Sequence, residues 1–249
     1  MIKNNILIII PARSGSKRVK NKNMKTLGTI PLLGHKIRAC LRLKIGKVLV
    51  STNSPKIAKY SKNLGAEVPF LRPKKYSTAK ASTMSCILHV IRYFKEKNEK
   101  LPEYIAVLPA TNPFLENKSI LSAYKKILSN KKYNSIISYT SSSEHPFLII
   151  KIKKKIIFDV VKVDNSKYSD YERTQDWPNS ILSSAALKIS KTKFFLKYIK
   201  NKSANVNAKT FDMNSCIGIK ISKKEAFDIN NYYDFKIAEI LKNTHFKHG

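Results

Sequence analysis

The chain has 249 residues and carries 48 lysines and arginines against 16 aspartates and glutamates, a formal charge of +32. That length suits one α/β domain with its own core, and the longest apolar run near the amino terminus, Ile6–Ile10, is far short of the ~20 residues that span a bilayer, so no membrane segment or secretion signal is expected and a cytoplasmic location is. Three scattered cysteines, Cys40, Cys86 and Cys216, lack paired spacing and argue against a disulfide framework or a zinc site.

In chain order, Ile6–Ile10 predicts a buried strand that breaks into a polar loop over 11–23. Pro31–Leu43 sets Leu32, Leu33, Ile37 and Leu41 on a helical period. Val48–Val50 predicts a second strand and 51–54 its loop, after which Ser54-Pro55 starts a helix that runs to Leu64 and stops at Gly65. Ser82–Phe94 repeats the helical pattern, while Ile105–Leu108 and Ser135–Tyr139 repeat the buried-strand pattern. Phe147–Ala186 breaks the rhythm with a lysine-rich β-like stretch and a polar loop carrying Tyr168, Tyr171, Arg173 and Trp177. Tyr232–Leu241 offers Ile237, Ile240 and Leu241 to the core, and the tail His245–Gly249 is expected to fray. Strands alternating with helices imply an α/β, Rossmann-like, mostly parallel sheet flanked by helices. We read one domain over 1–249 with a small β-rich excursion at 145–186. Loops 11–23, 51–54 and 109–113 leave the carboxyl ends of strands, where open α/β sheets bind ligands, and should line one cleft.

The first of these loops, Pro11-Ala12-Arg13-Ser14-Gly15-Ser16-Lys17-Arg18, has the chemistry of an anion site. Small residues let backbone N–H groups converge on a phosphate, and Arg13 and Lys17 can offset the charge of a triphosphate. It is neither a Walker loop, whose spacing is missing, nor a dinucleotide-binding loop, since Gly15 is the only glycine before Gly28. The net charge could suggest a nucleic-acid partner. Only seven of the basic residues are arginine, however, and no aromatic-basic stacking motif accompanies the lysines, so we read a solvated lysine surface with no specific nucleic acid. That surface should draw anionic substrates inward.

The loop continues as Asn21-Lys22-Asn23-Met24-Lys25 and is followed by Pro31-Leu32-Leu33-Gly34-His35, Gly65-Ala66-Glu67-Val68-Pro69-Phe70-Leu71-Arg72-Pro73, Ala110-Thr111-Asn112-Pro113-Phe114, Arg173-Thr174-Gln175-Asp176-Trp177-Pro178 and Phe227-Asp228-Ile229-Asn230. This series resembles the acylneuraminate cytidylyltransferase family along nearly the whole chain, and is most similar to the branch that activates pseudaminic acid. The resemblance implies Mg²⁺-dependent transfer of CMP from CTP to a sialic-acid-like nonulosonic acid, an acidic nine-carbon sugar, for surface glycans such as lipopolysaccharide, by a homodimer whose excursion reaches over the partner's sugar pocket. It implies that Ala12, Arg13, Ser14, Gly15, Lys17, Lys22, Asn23, Arg72 and Ser82 bind CTP, with Arg13, Lys17 and Asp228 catalytic and Asp228 and Asn230 holding the metal. Arg173, Gln175 and Thr111 would face the sugar, Arg173 taking its carboxylate through two parallel hydrogen bonds.

Several positions depart from the family pattern. Asn53 and Asn230 stand where it places aspartate, Lys80 where it commonly has an acid, Pro109 where it has glutamine, and Ser184-Ala185-Ala186 where it has Asn-Gly-Ala. Asparagine can still ligate Mg²⁺ through its amide oxygen, with one charge fewer. These departures leave two alternatives open. One is a nucleotidyltransferase for another sugar such as 3-deoxy-octulosonic acid, and the other is a non-catalytic descendant that binds nucleotide or nucleic acid.

Overall fold

The computed structural model describes residues 5–16, 18–142, 144–148, 150–153, 156–159, 170–203, 205–206 and 208–243. Lys17, Tyr168 and the tail His245–Gly249, all singled out above, lie outside them.

Strand β1 (Ile6–Pro11) holds Ile6 to Ile10 at 2% exposure or less, because it is covered on both faces. Ile6, Ile8 and Ile10 pack on one side and Leu7 and Ile9 on the other, the period-2 alternation of a central strand. The short pair β2 (Thr26–Leu27) and β3 (Ile30–Pro31) leads into α1 (Leu32–Leu43). Then come β4 (Gly46–Ser51), α2 (Pro55–Asn63), α3 (Thr83–Glu96), β5 (Tyr104–Val107), α4 (Asn117–Ser129) and β6 (Ser135–Ser141). A separate hairpin, β7 (Ile150–Lys153) and β8 (Ile156–Asp159), precedes β9 (Ile181–Lys191), α5 (Thr192–Leu196), β10 (Cys216–Lys220), α6 (Lys223–Ala226) and α7 (Tyr232–Asn243).

The main sheet has the order β10-β6-β9-β5-β1-β4. β1 runs parallel to β4 and β5, and β10 parallel to β6, while β9 is antiparallel to both its neighbours. Helices α1, α2 and α4 supply the core on one face, and α3 and α5 on the other. A third cluster joins α7 to Leu27, Leu32 and Ile229 beside the carboxyl edge through Phe235 and Ala238, in place of the expected Ile237, Ile240 and Leu241, of which Ile240 is 63% exposed.

The expected strands and helices thus form, each within a few residues of its predicted bounds, in the expected kind of sheet. The main difference is at β9, an eleven-residue central strand that begins at Ile181, inside the range assigned to the excursion. Its sequence, Ile-Leu-Ser-Ser-Ala-Ala-Leu-Lys, lacks a clean alternation because a bulge opposite Ser138 shifts the register between Ile137 and Tyr139. The Ser138 hydroxyl occupies the bulge, donating toward the carbonyls of Ser184 and Leu187 and accepting from Leu187 N–H.

Candidate active site

The loop after β1 is held from both sides. Ala12 N–H donates to Ser51 C=O at 2.9 Å and extends the β1–β4 pairing by one step. Asn23 Nδ2 donates to the Arg13 carbonyl at 3.0 Å and closes the loop on itself. Across the gap to the loop after β4, Ser14 N–H donates to Asn53 Oδ1 and Asn53 Nδ2 donates to Ser14 Oγ, both at 2.9 Å. Gly15 turns the loop at φ +74°, a conformation costly for any other residue.

The opposite wall comes from residues 66–72, which run beside β4 as a ragged edge. Glu67 pairs with it through Val48 and Val50, and Arg72 N–H donates to Thr52 C=O at 2.6 Å. This register sets the Arg72 side chain at the level of the loops. Arg72 is 5% exposed, yet its Nε and Nη2 are buried without a hydrogen-bond partner. A buried guanidinium with open donors is costly unless an acceptor arrives. Beneath it His89 packs edge-on against Phe70 at 4.5 Å. Burial, then the charges of Arg72, Arg92 and Lys75, lower its pKa from 6.5 to about 4, so the ring stays neutral.

Between the walls lies a cleft of about 230 Å³ lined by Pro11, Arg13, Ser16, Lys22, Asn23, Arg72, Tyr76, Ala81, Ser82, Thr83 and Thr111. Ser82 caps α3 by accepting from Ser85 N–H at 3.1 Å, so the positive end of a fourteen-residue helix opens into the cleft. A larger cavity of about 810 Å³ lies at the other edge of the sheet, near Asn5, Lys47 and Pro102, but none of its polar residues is buried. Chemistry, rather than volume, marks the smaller one.

The floor is fastened to the carboxyl-terminal part of the chain. Ile229 N–H donates to Thr111 C=O at 2.9 Å, and Lys22 Nζ to Ile229 C=O at 2.7 Å. Burial lowers the pKa of Lys22 against the pull of nearby Asp228. Asn112, fully buried, donates to the carbonyls of Ala226 and Phe227, and its own carbonyl accepts from Lys36 Nζ at 2.8 Å. Lys36 is 2% exposed on α1, and burial brings its pKa from 10.5 to about 8. Neither Lys36 nor Asn112 stood out in the sequence. The available signal was a lysine three residues after Leu33 and four before Cys40, on the buried stripe of a helix.

Asp228 Oδ1 is buried and has no hydrogen-bond partner. Asn230 is exposed, with its amide nitrogen 3.4 Å from the Asp228 carbonyl. Among the described residues no group of three His, Cys, Asp or Glu side chains gathers to hold a metal. One open carboxylate oxygen and a neighbouring amide suit a hard cation that takes its remaining ligands from phosphate and water.

The residues expected to face the sugar are not gathered in one place. Thr111 lines the cleft, whereas Arg173 and Gln175 lie exposed on the excursion. Arg173 forks onto its neighbour Asp176, Nε to Oδ2 at 3.0 Å and Nη2 to Oδ1 at 3.4 Å. Gln175 lines a separate cavity with His145 and Trp177. His145 accepts from Phe147 N–H on Nδ1 and donates from Nε2 to Pro178 C=O at 2.7 Å, which ties the start of the excursion to the segment just before β9.

A family model described as Cytidylyltransferase matches residues 7–234. An N-acylneuraminate cytidylyltransferase of Escherichia coli is 29% identical over 94% of this chain and 51% of its own length. A Helicobacter pylori protein whose name joins pseudaminic acid cytidylyltransferase to a UDP-sugar hydrolase is 27% identical over 94% of this chain and 42% of its own. The chain therefore spans about half the length of these relatives, or less. Among solved structures, that of a CMP:2-keto-3-deoxy-manno-octonic acid synthetase complexed with CTP shares the fold, with a TM-score of 0.67 at 11% identity over 95% of this chain and 98% of that one. No helix among the described residues is long and apolar enough to cross a membrane.

Proposed function

The chain belongs to the cytidylyltransferase family, and from that premise we propose that it transfers CMP from CTP to the anomeric hydroxyl of a nonulosonic acid, pseudaminic acid being the first candidate, and releases pyrophosphate. The observation that carries this reading is Arg72, whose Nε and Nη2 are buried without a partner and which lines, with Arg13 and Lys22, a cleft that also receives a helix amino terminus. Such a site suits a polyanion. In this reading Arg72 and Arg13 hold the triphosphate from opposite sides and offset charge that grows on the departing pyrophosphate. Gly15 and Ser16 turn the loop toward the phosphates, Lys17 adds charge to it, and the α3 terminus at Ser82 receives the rest of the nucleotide. Lys22, fixed to the Ile229 carbonyl, keeps Asp228 at the floor.

Asp228 and the amide oxygen of Asn230 are the residues that would hold Mg²⁺. When bound, the ion neutralises phosphate oxygens and makes the α-phosphorus more electrophilic. With one carboxylate in place of two, half-saturation should need more Mg²⁺ than a two-aspartate site does.

The sugar half of the reading needs a second copy of the chain. Leu148, Ile181 and Leu182 are 50, 67 and 57% exposed at the root of the excursion, apolar surface that a second copy would cover. The test is pyrophosphate release from CTP and Mg²⁺ with pseudaminic, legionaminic, N-acetylneuraminic and 3-deoxy-octulosonic acids, alongside Arg173→Lys. Release with one nonulosonic acid, reduced in the variant, supports the reading. Silence with every acid, in a protein that binds CTP, removes the transfer reaction from it.

A further inference from the structure

We propose that Asn53 is a positioning residue that fixes the direction of the Ser14 hydroxyl and leaves its proton free for a phosphate oxygen; this rests on the reading of the cleft as a triphosphate site. The polarity of the contact follows from what each group can do. Ser14 N–H can only donate, so the Asn53 atom 2.9 Å from it is the amide oxygen. The other amide atom is then NH₂, which can also only donate, and it lies 2.9 Å from Ser14 Oγ. Ser14 Oγ is therefore the acceptor, and no described residue takes its proton.

That proton has an anion-suited space to point into. Ser14 lines a cavity of about 90 Å³ together with Arg13, Asn21, Asn23 and Lys56, and no carboxylate lines it. Arg13 and Asn23 also line the larger cleft, so the two spaces adjoin at those residues. A phosphate chain that enters along Arg13 passes the Ser14 hydroxyl, which would donate a charge-assisted hydrogen bond to it.

An aspartate at position 53 separates polarity from scaffolding. A carboxylate accepts from both Ser14 N–H and Ser14 O–H, so the two loops remain tied, but the proton is consumed and a negative charge stands beside the anion. The experiment is calorimetric titration of CTP, and of tripolyphosphate as a base-free probe, into wild type, Ser14→Ala, Asn53→Asp and the double variant, at low and high salt, with thermal melts of each. Asn53→Asp should melt near wild type, and either single change should weaken binding about 10-fold. At high salt, where the added charge is screened, Asn53→Asp should do little more in the Ser14→Ala background.

Losses that multiply in full at high salt would overturn the proposal. If Asn53→Asp melts early, Ser14→Ala alone decides, since unchanged binding means that no proton was being donated. A wild type that binds neither probe removes the triphosphate reading and this inference together. One that binds both but turns over no sugar removes only the transfer reaction, and the double-variant cycle still decides here.

Discussion

Arg72 and Arg173 are two of only seven arginines in a lysine-rich chain, and they end in opposite states. Arg72 is buried with open donors, held by a backbone pairing with Thr52 and walled by His89 and Tyr76. Arg173 is exposed and already satisfied by Asp176 three residues on. Around Arg72 the loops are fastened to one another, 14 to 53, 22 to 229, 111 to 229 and 112 to 226–227, and the first is closed on itself from 13 to 23. Around Arg173 the ties are local, with His145 bound to Pro178 and stacked near Trp177 at 4.8 Å. The proposed nucleotide half is therefore built within one chain in advance of its ligand. The arginine of the excursion must leave its own carboxylate before it can serve any other.

The sharpest way to break this contrast is Arg72→Met. Losing two charge-assisted contacts should cost about 3 kcal/mol or more of CTP binding, over 100-fold, while the fold melts no lower, because an uncompensated buried charge has gone. Equal loss of stability would make Arg72 a structural residue. Asp228→Asn comes next, with turnover expected to fall about 10-fold or more and the Mg²⁺ requirement to rise, read from pyrophosphate release across a metal titration.

Lys36→Met probes the fastening itself. The lowered pKa represents about 3 kcal/mol of desolvation, and the lost hydrogen bond to Asn112 returns about 1, so at pH 7 the variant should be more stable by about 1–2 kcal/mol. In the wild type, unfolded Lys36 binds a proton that the folded form has lost between pH 8 and 10.5, so stability should climb across that window. The climb should vanish in the variant. Hydrogen exchange at 109–113 should quicken even as the melting temperature rises.

His89 supplies an acid-side counterpart. Its folded pKa of about 4 lies below the unfolded 6.5, so its contribution is full above pH 6.5 and is lost as pH falls toward 4. His89→Gln should flatten that part of the stability profile. The smallest effect belongs to Asp176→Ala. Breaking an exposed pair should change stability by less than about 1 kcal/mol, yet it frees Arg173 and should change the KM for the sugar rather than for CTP.

What the sequence disclosed follows from where the signals are local. Ile6–Ile10, Ser54-Pro55 and Gly65 announce their elements because burial, capping and a left-handed stop act within a few residues. The loop proposed to hold phosphate stands out by its small and basic residues. Lys36 was hidden among 41 lysines, its spacing on the apolar stripe of α1 being the one mark that set it apart from the solvated ones. Asn112 carries its meaning in a partner more than a hundred residues away. β9 was masked by its bulge, which spoils the alternation that would have marked it as a strand.

The place of β9 also bears on how the chain can come into being. β5 and β6 sit on either side of it and contact each other's sheet only through it, so neither has its final neighbour until residues 181–191 exist. During synthesis, the stretch from 104 to 180 must wait with one edge of β5 and both edges of β6 exposed, and a product that stops short of Ile181 keeps them exposed for good. Truncations before that point should therefore aggregate instead of giving a smaller working domain, and closure of the sheet should be the slow step in refolding.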